Sequence, residues 1–274
     1  AGMRRLPARG QLWRNREFLK LWGGQTASQA GSRVTDLAMP LTAILVLDAS
    51  AAQLGILVAA EYAPSLFVTL AAGVWADRHR RRPILVTANL GRAAILALVP
   101  ILALTGGLSM AVLYAVALSA GILTTLFDVT YISYIPTLVG RSDLVEANSK
   151  MQSSQSVAQV GGQGAGGVLT QLLTAPGAML VDAVSYLVAA ASLLTIRHHE
   201  PAPQAPAERR SVTRDAWEGL RFTLASSVLR PAMLQSGVYN LCNAVVLAVL
   251  PIYALRHLHL SPATLGLVIA SGST

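Results

Sequence analysis

Charge is scarce in this chain: Asp, Glu, Lys and Arg together make up 12% of its 274 residues, against about 25% in an average soluble domain. So few charged groups cannot clothe a chain that is 53% apolar in a water-exposed surface. Cysteine is nearly absent. The single Cys242 excludes an internal disulfide and a thiolate metal cluster, and its place inside an apolar run reads as a small buried residue. Aromatics are few, at 5%, which neither requires nor excludes a flat hydrophobic ligand. Acidic residues are outnumbered 13 to 21 by Lys and Arg. A nucleic-acid reader would gather such an excess on one polar face, but here the bases fall between apolar runs, so nucleic acid is not an expected partner. The histidines, His79, His198, His199, His257 and His259, sit in gaps or at run ends. They build neither a His-Glu-x-x-His pair nor a dyad at depth. Catalysis, metal and cofactor therefore have no support in the sequence.

What the chain does have is long apolar runs. A helix crossing a bilayer needs about 20 such residues, and runs of this kind occupy roughly 19–46, 53–75, 84–104, 108–134, 150–173, 176–196 and 229–254, with an eighth from Pro262. The first is longer than a signal-peptide core and lacks a clear cleavage pattern, so it is expected to be retained. Eighteen of the 21 Lys and Arg residues lie before the first run or at its mouth, or in the gaps after the second, fourth and sixth and the first residues beyond them. Only Arg256 falls in a gap of the other parity. By the positive-inside rule the N-terminus and the basic gaps are cytoplasmic, and an all-α, multi-pass protein of the cytoplasmic membrane is expected. Four segments follow: a basic cytoplasmic stretch at 1–18, a six-helix unit at 19–196, a cytoplasmic linker at 197–227, and a further portion at 228–274. In the linker, Trp217, Leu220 and Leu224 recur at helical spacing among charges, which fits either a short helix on the membrane surface or a solvated connector that only tethers.

The fourth segment repeats the first helix and the start of the second. Pro40 to Ala59 aligns without gaps on Pro251 to Ala270 at a constant shift of 211 residues, with Pro40/Pro251, Ala43/Ala254, Ser50/Ser261, Leu54/Leu265 and Gly55/Gly266 among the identical pairs. Internal duplication of apolar helices is a transporter signature. A complete second unit would run to about residue 407, so the chain is expected to be a fragment that does not transport by itself.

Between the second and third runs stands GVWADRHRRRPIL, which resembles the signature loop of the major facilitator superfamily. Gly73, Asp77, Arg78, Arg81 and Arg82 match that pattern. The resemblance implies a six-helix N-terminal bundle followed by the first one to two helices of a second bundle. It also implies a gating role for this loop, whose charges lock helix ends and let go as the bundle rocks. In the fifth run, GGQGAGG resembles the superfamily's antiporter motif through Gly162, Gly166 and Gly167, with Gln163 where the family has proline; Gly162 and Gly166 also form a small-xxx-small face for a close helix neighbour. The family's fourth-helix arginine is absent. The texture DVTYISYIPTLV and NREFLKLWGGQ is similar to the drug-antiporter branch.

Six ionisable residues fall inside runs: Arg33, Asp36, Glu61, Arg92, Asp128 and Asp182. An unpaired charge at a helix centre costs about 2.5–3.5 kcal/mol on insertion scales, so these must pair or line water. Helical rise sorts them into two layers, Arg33, Asp36, Glu61 and Asp182 in one, Arg92 and Asp128 in the other. Arg33 and Asp36 share a face at i,i+3, Glu61 can complete a triad, and Arg92 can reach Asp128. In facilitators the first and fourth helices line the cavity, so the resemblance makes Arg33, Asp36 and Asp128 cavity residues and leaves Arg92 and Asp182 structural. Asp36, Glu61 and Asp128 are the candidate proton carriers; Arg33 competes with a proton for Asp36. Gln25 and Gln29 in the first run, with Asn240 and Asn243 in the seventh, offer hydrogen bonds to a cargo or between helices. The expected function is export of a small amphipathic molecule by alternating access, coupled to proton antiport, with no obligate protein partner. A dedicated siderophore or metabolite exporter of the same fold, or an inactive scaffold, are the alternatives.

Overall fold

A computed structural model of the protein describes residues 11–140, 143–197, 200 and 221–271. Among these, a short 3-10 helix at Gln11–Arg14 precedes α1 (Arg16–Leu45), α2 (Ala51–Arg78), α3 (Arg81–Leu104), α4 (Met110–Val139), α5 (Leu144–Leu173), α6 (Ala175–Thr195), α7 (Leu229–Arg256) and α8 (Pro262–Ser271). The stretch around Trp217 and Leu220, surface helix or connector, lies outside the described residues, although 221–225 is helical.

Sequence chemistry sets the helix starts. Asn15 accepts from the backbone of Glu17 and Phe18 at 3.1 Å to open α1. Ser50 and Gln53 bond reciprocally at 2.8 and 3.3 Å to open α2. Ser109 opens α4, and Thr174, at φ 71, ends α5 and caps α6 through its hydroxyl. Gly140, at φ 76, closes α4 in a backbone conformation that glycine adopts without strain.

The duplicated segments form the same hairpin. Thr42 and Tyr253 each accept from the residue four ahead, Val46 and His257, at 3.0 Å. Ala43 accepts from Ala49 at 2.9 Å and Ala254 from Leu260 at 3.0 Å. Ser50 and Ser261 then open α2 and α8 with matching bonds to Leu54 and Leu265, both at 3.0 Å. In each hairpin one residue turns left-handed, Asp48 at φ 50 and His259 at φ 52. Every one of these pairs is separated by 211 residues, so the shift read in the sequence is a shift of backbone geometry.

Packing centres on α1. It lies against α5 and α6, α3 bridges α6 and α4, α2 lies on α4, and α8 lies on α5. Small residues permit the closest crossings: a Cβ on Gly31 would stand 2.2 Å from the Ser185 hydroxyl, and one on Gly166 would stand 3.1 Å from the Val34 Cα. Three apolar clusters result, the smallest joining Leu37 and Leu41 of α1 to Ala175, Ala254 and Leu265. Of the two larger, one gathers Met39, Leu54, Leu96, Val99, Leu113 and Met179 toward the short turns; the other gathers Phe18, Leu21, Leu85, Phe127, Tyr134 and Leu193 toward the basic end. The outer faces carry exposed apolar side chains such as Phe67, Leu104 and Leu172, as expected of surface that meets lipid.

Of the seven expected spans, five are long and apolar enough to cross a membrane: Ala51–Thr69 within α2, then α3, α4, α6 and α7. The 30-residue α1 and α5 are long enough but more polar. Part of their polar and small residues, Gly24, Ser28 and Gly31 of α1 and Ser154, Gly162, Gly166 and Thr170 of α5, is buried against neighbouring helices. Cys242 departs from expectation. It is exposed on α7, because the described residues cover little of that helix.

Candidate functional site

The carboxylates of α1, α2 and α4 define the open face of the bundle. Arg33 and Asp36, one turn apart, form an ion pair at 2.9 Å while both side chains keep about a third of their surface accessible (29% and 36%). Glu61 and Tyr62 at the top of α2 lie within electrostatic reach of Asp36. The backbone there is set by a close crossing: the Glu61 carbonyl and the Pro64 ring meet α4 at Gly121, where a Cβ would collide with both. Asp128 is also exposed, one turn before Tyr131, whose hydroxyl donates to the Met151 sulfur at 3.0 Å. The expected Arg33–Asp36 pair is therefore present, with Glu61 beside it.

Arg92 does not pair with Asp128. Its guanidinium, 4% exposed, lies between the rings of Phe127 on α4 and Tyr186 on α6, 4.4 and 4.2 Å from their centroids, and donates to the Asn89 side chain at 2.5 Å. The reason is reach: the long stem of Arg92 carries its charge to aromatic faces that replace water around a cation. Asp182, 1% exposed, accepts from the Ser185 hydroxyl at 3.0 Å, and Ser32 donates to it at 3.4 Å while sharing a 2.8 Å hydrogen bond with Tyr186. Arg92 and Asp182 thus meet through Tyr186 and Ser32. One member of each expected layer, Asp182 and Arg92, thus shares a buried polar seam, while Arg33, Asp36, Glu61 and Asp128 stay on the open face.

At the basic end the signature residues divide. The turn shrinks to His79 and Arg80, since α2 runs through Arg78 and α3 begins at Arg81. Gly73 faces Val129 of α4 at van der Waals distance. Asp77 is three-quarters exposed, 3.7 Å from Arg81, and Arg78 is exposed. Arg82 has a different job. It donates to the Leu193 and Leu194 carbonyls at 2.8 and 2.6 Å, and Lys20 donates to Thr195 at 2.9 Å, so two cations cap the negative end of the α6 dipole. Glu200, which sequence reasoning missed, accepts from the Arg81 and Arg82 amides at 2.9 Å each and caps α3. Glu17 accepts from the Arg197 amide at 2.8 Å. The hydrogen bond from Lys20, then that amide, hold its carboxyl below its ordinary 4.5.

The antiporter-like glycines seat two different helices. Gly162 and Gly166 meet α1 at Arg33 and Val34, whereas Gly167, with Gln163 nearby, meets Gly266 of α8. Gln25 and Gln29 are half-buried on α1, and Asn240 and Asn243 are exposed on α7, with the Asn240 amide donating to its own helix at Ser236, 2.8 Å away. The structure does not bring the α1 and α7 amides together. Gly24 and Gly31, which seat α6 against α1, went unread in the sequence, although with Ser28 they space small residues at i, i+4 and i+7.

Six helices with α1 at their centre, followed by a second copy of the opening hairpin, define an all-helical, multi-pass membrane protein of the major facilitator type. The profile of the family described as transmembrane secretion effector matches residues 12–273, and the chain belongs to that transporter family. It is 30% identical over 240 residues to the multidrug efflux pump Tap of Mycolicibacterium fortuitum, covering 84% of this chain and 58% of that protein. It is 23% identical over 256 residues to the uncharacterized MFS-type transporter YkuC of Bacillus subtilis (strain 168), covering 90% of this chain and 58% of that one. The chain spans 58% of the length of both relatives.

Proposed function

We propose that the chain forms the first half, and the opening of the second half, of a secondary transporter that exports a small amphipathic molecule across the cytoplasmic membrane by alternating access, in exchange for protons. The N-terminus and the basic turns face the cytoplasm. The observation that carries this reading is the open face itself, where Asp36, Glu61 and Asp128 stay accessible within long helices whose other exposed side chains include the apolar Leu66, Phe67 and Ile132. A carboxylate at that depth is costly unless it lines water, a partner or a pathway.

In this mechanism Arg33 balances Asp36, Glu61 and Asp128 exchange protons with the cavity, and Gln25, Gln29, Asn240 and Asn243 offer polar contacts to the cargo. Asp77 and Arg78, exposed at the basic end, are the residues of the signature turn available to a second half, and their contacts change as the halves rock. Arg82, bonded to α6, holds the first half together instead. Arg92 and Asp182 form its rigid core, and Gly162, Gly166 and Gly167 keep α5 close to α1 and α8.

The likeness to a multidrug efflux pump supports a drug-like cargo. The test is efflux of a cationic dye from everted vesicles under an imposed pH gradient, with the chain joined to a complete second unit. Gradient-driven efflux that is lost in Asp128→Asn or Glu61→Gln supports the proposal. Efflux unchanged in both variants removes these carboxylates from the proton pathway.

A further inference from the structure

A sizeable cavity lies away from the carboxylate face. α5 and α6 each pack on α1 but barely on one another, and between them runs a groove of about 680 Å³ floored by α1 from Trp22 to Val34 and walled by Val157, Gly161 and Ala165 of α5 and Val181 of α6. It occupies a different side of α5 from Gly167, which seats α8. Exposed Val157, Val184 and Leu172 flank it, so the groove opens to the hydrocarbon of the bilayer.

We propose that this groove binds one acyl chain of a phospholipid from the leaflet at the basic end, with the lipid phosphate at its mouth. Three observations identify the occupant. The lining is apolar apart from a few hydroxyls, among them Ser154, which accepts from the Trp22 indole at 2.8 Å. The 12 residues separating Trp22 from Val34 rise about 18 Å, close to the roughly 15 Å hydrocarbon depth of one leaflet. The mouth has the chemistry of a headgroup region: Trp13 packs edge-to-face on Trp22 with centroids 5.5 Å apart, and the Lys150 ammonium sits 3.8 Å above the Trp13 ring. Two indoles and a lysine at a membrane interface suit a phosphate above an acyl chain. Glu146, 3.6 Å from Lys150, offsets part of that charge, and Arg14 adjoins Trp13 in sequence. A seated chain fills the seam between α5 and α6 and covers α1 where protein does not.

The experiment places the chain in phosphatidylcholine vesicles doped with a phospholipid carrying a photoactivatable diazirine on its palmitoyl chain, and maps the adducts by peptide mass spectrometry. Adducts concentrated on the α1, α5 and α6 groove peptides are expected. In Gly161→Phe/Ala165→Phe they fall about tenfold, the effect of displacing about two buried methylenes, while adducts on the lipid-facing Leu66 and Phe67 of α2 persist. The two positions accept bulk: a Cβ on Gly161 meets nothing within 4 Å, and Ala165 is exposed. Lys150→Glu reduces the groove adducts without moving those on α2. Adducts spread evenly over all lipid-facing helices of the unaltered chain, or groove adducts undiminished in the double variant, overturn the proposal.

Discussion

Arg256 at the end of α7 donates to the Asp48 carboxylate and, at 3.1 Å, to the Ala49 carbonyl in the turn between α1 and α2. The one Arg or Lys in the described part of the sparsely charged end therefore ties the second copy of the hairpin to the first. Asp48 is almost fully exposed, so the charge–charge part is screened.

A double-mutant cycle on Asp48→Asn and Arg256→Gln, read from unfolding in detergent, is expected to give a coupling of no more than about 1 kcal/mol. A much larger value would show that this junction is drier than the structure makes it.

The buried seam should be far more sensitive. Arg92→Met removes the cation from between Phe127 and Tyr186 and leaves the Asn89 carbonyl without its guanidinium donor. A loss of about 1–4 kcal/mol is expected from two cation–aromatic contacts, whereas Arg92→Lys, with a smaller and more strongly hydrated head, recovers only part. Equal stability of the Met variant and the parent would contradict this role.

Glycine crossings make a sharper comparison. Gly31→Val pushes into Ser185 and Asp182, and overpacking of this kind costs about 1–3 kcal/mol. Gly23→Ala, at a site where a Cβ meets nothing within 4 Å, should leave the unfolding midpoint where it is or raise it slightly.

Stability of the basic end should depend on acid. Lys20 and the Arg197 amide lower the folded-state pKa of Glu17 below its ordinary 4.5. The stabilisation is therefore present above that value and disappears as pH falls through the lower folded value. Melting curves of the parent and Glu17→Gln should differ near neutral pH and converge in acid well below 4.5. A gap that persists there would mean that the carboxylate's charge is not what stabilises the junction.

Much of this fold was legible because bilayer physics acts on runs rather than on single contacts. The seven expected runs coincide with α1 to α7 to within a few residues, apart from the start of α5 and the end of α2, where polar residues extend the helix, and the end of α4, which continues through buried Ile135, Leu138 and Val139. The 211-residue shift was legible because the turn chemistry of Ser50 and Ser261 was copied along with the helices. The partner of Arg92 was not legible. Helical rise gives a height for each Cα, but a long side chain can cross between heights, and an aromatic face competes with a carboxylate for its charge. Glu200 escaped notice for a related reason, since nothing in a proline-rich linker marks which carboxylate turns back to cap α3.

The most direct test of the duplicated, same-side hairpin uses the scarcity of cysteine. With Cys242→Ser as background, Asp48→Cys, His259→Cys and Arg78→Cys are labelled in intact cells with a membrane-impermeant maleimide. The account predicts that positions 48 and 259 react from outside and position 78 only after permeabilisation. Labelling of 48 and 259 from opposite sides of the membrane would contradict it.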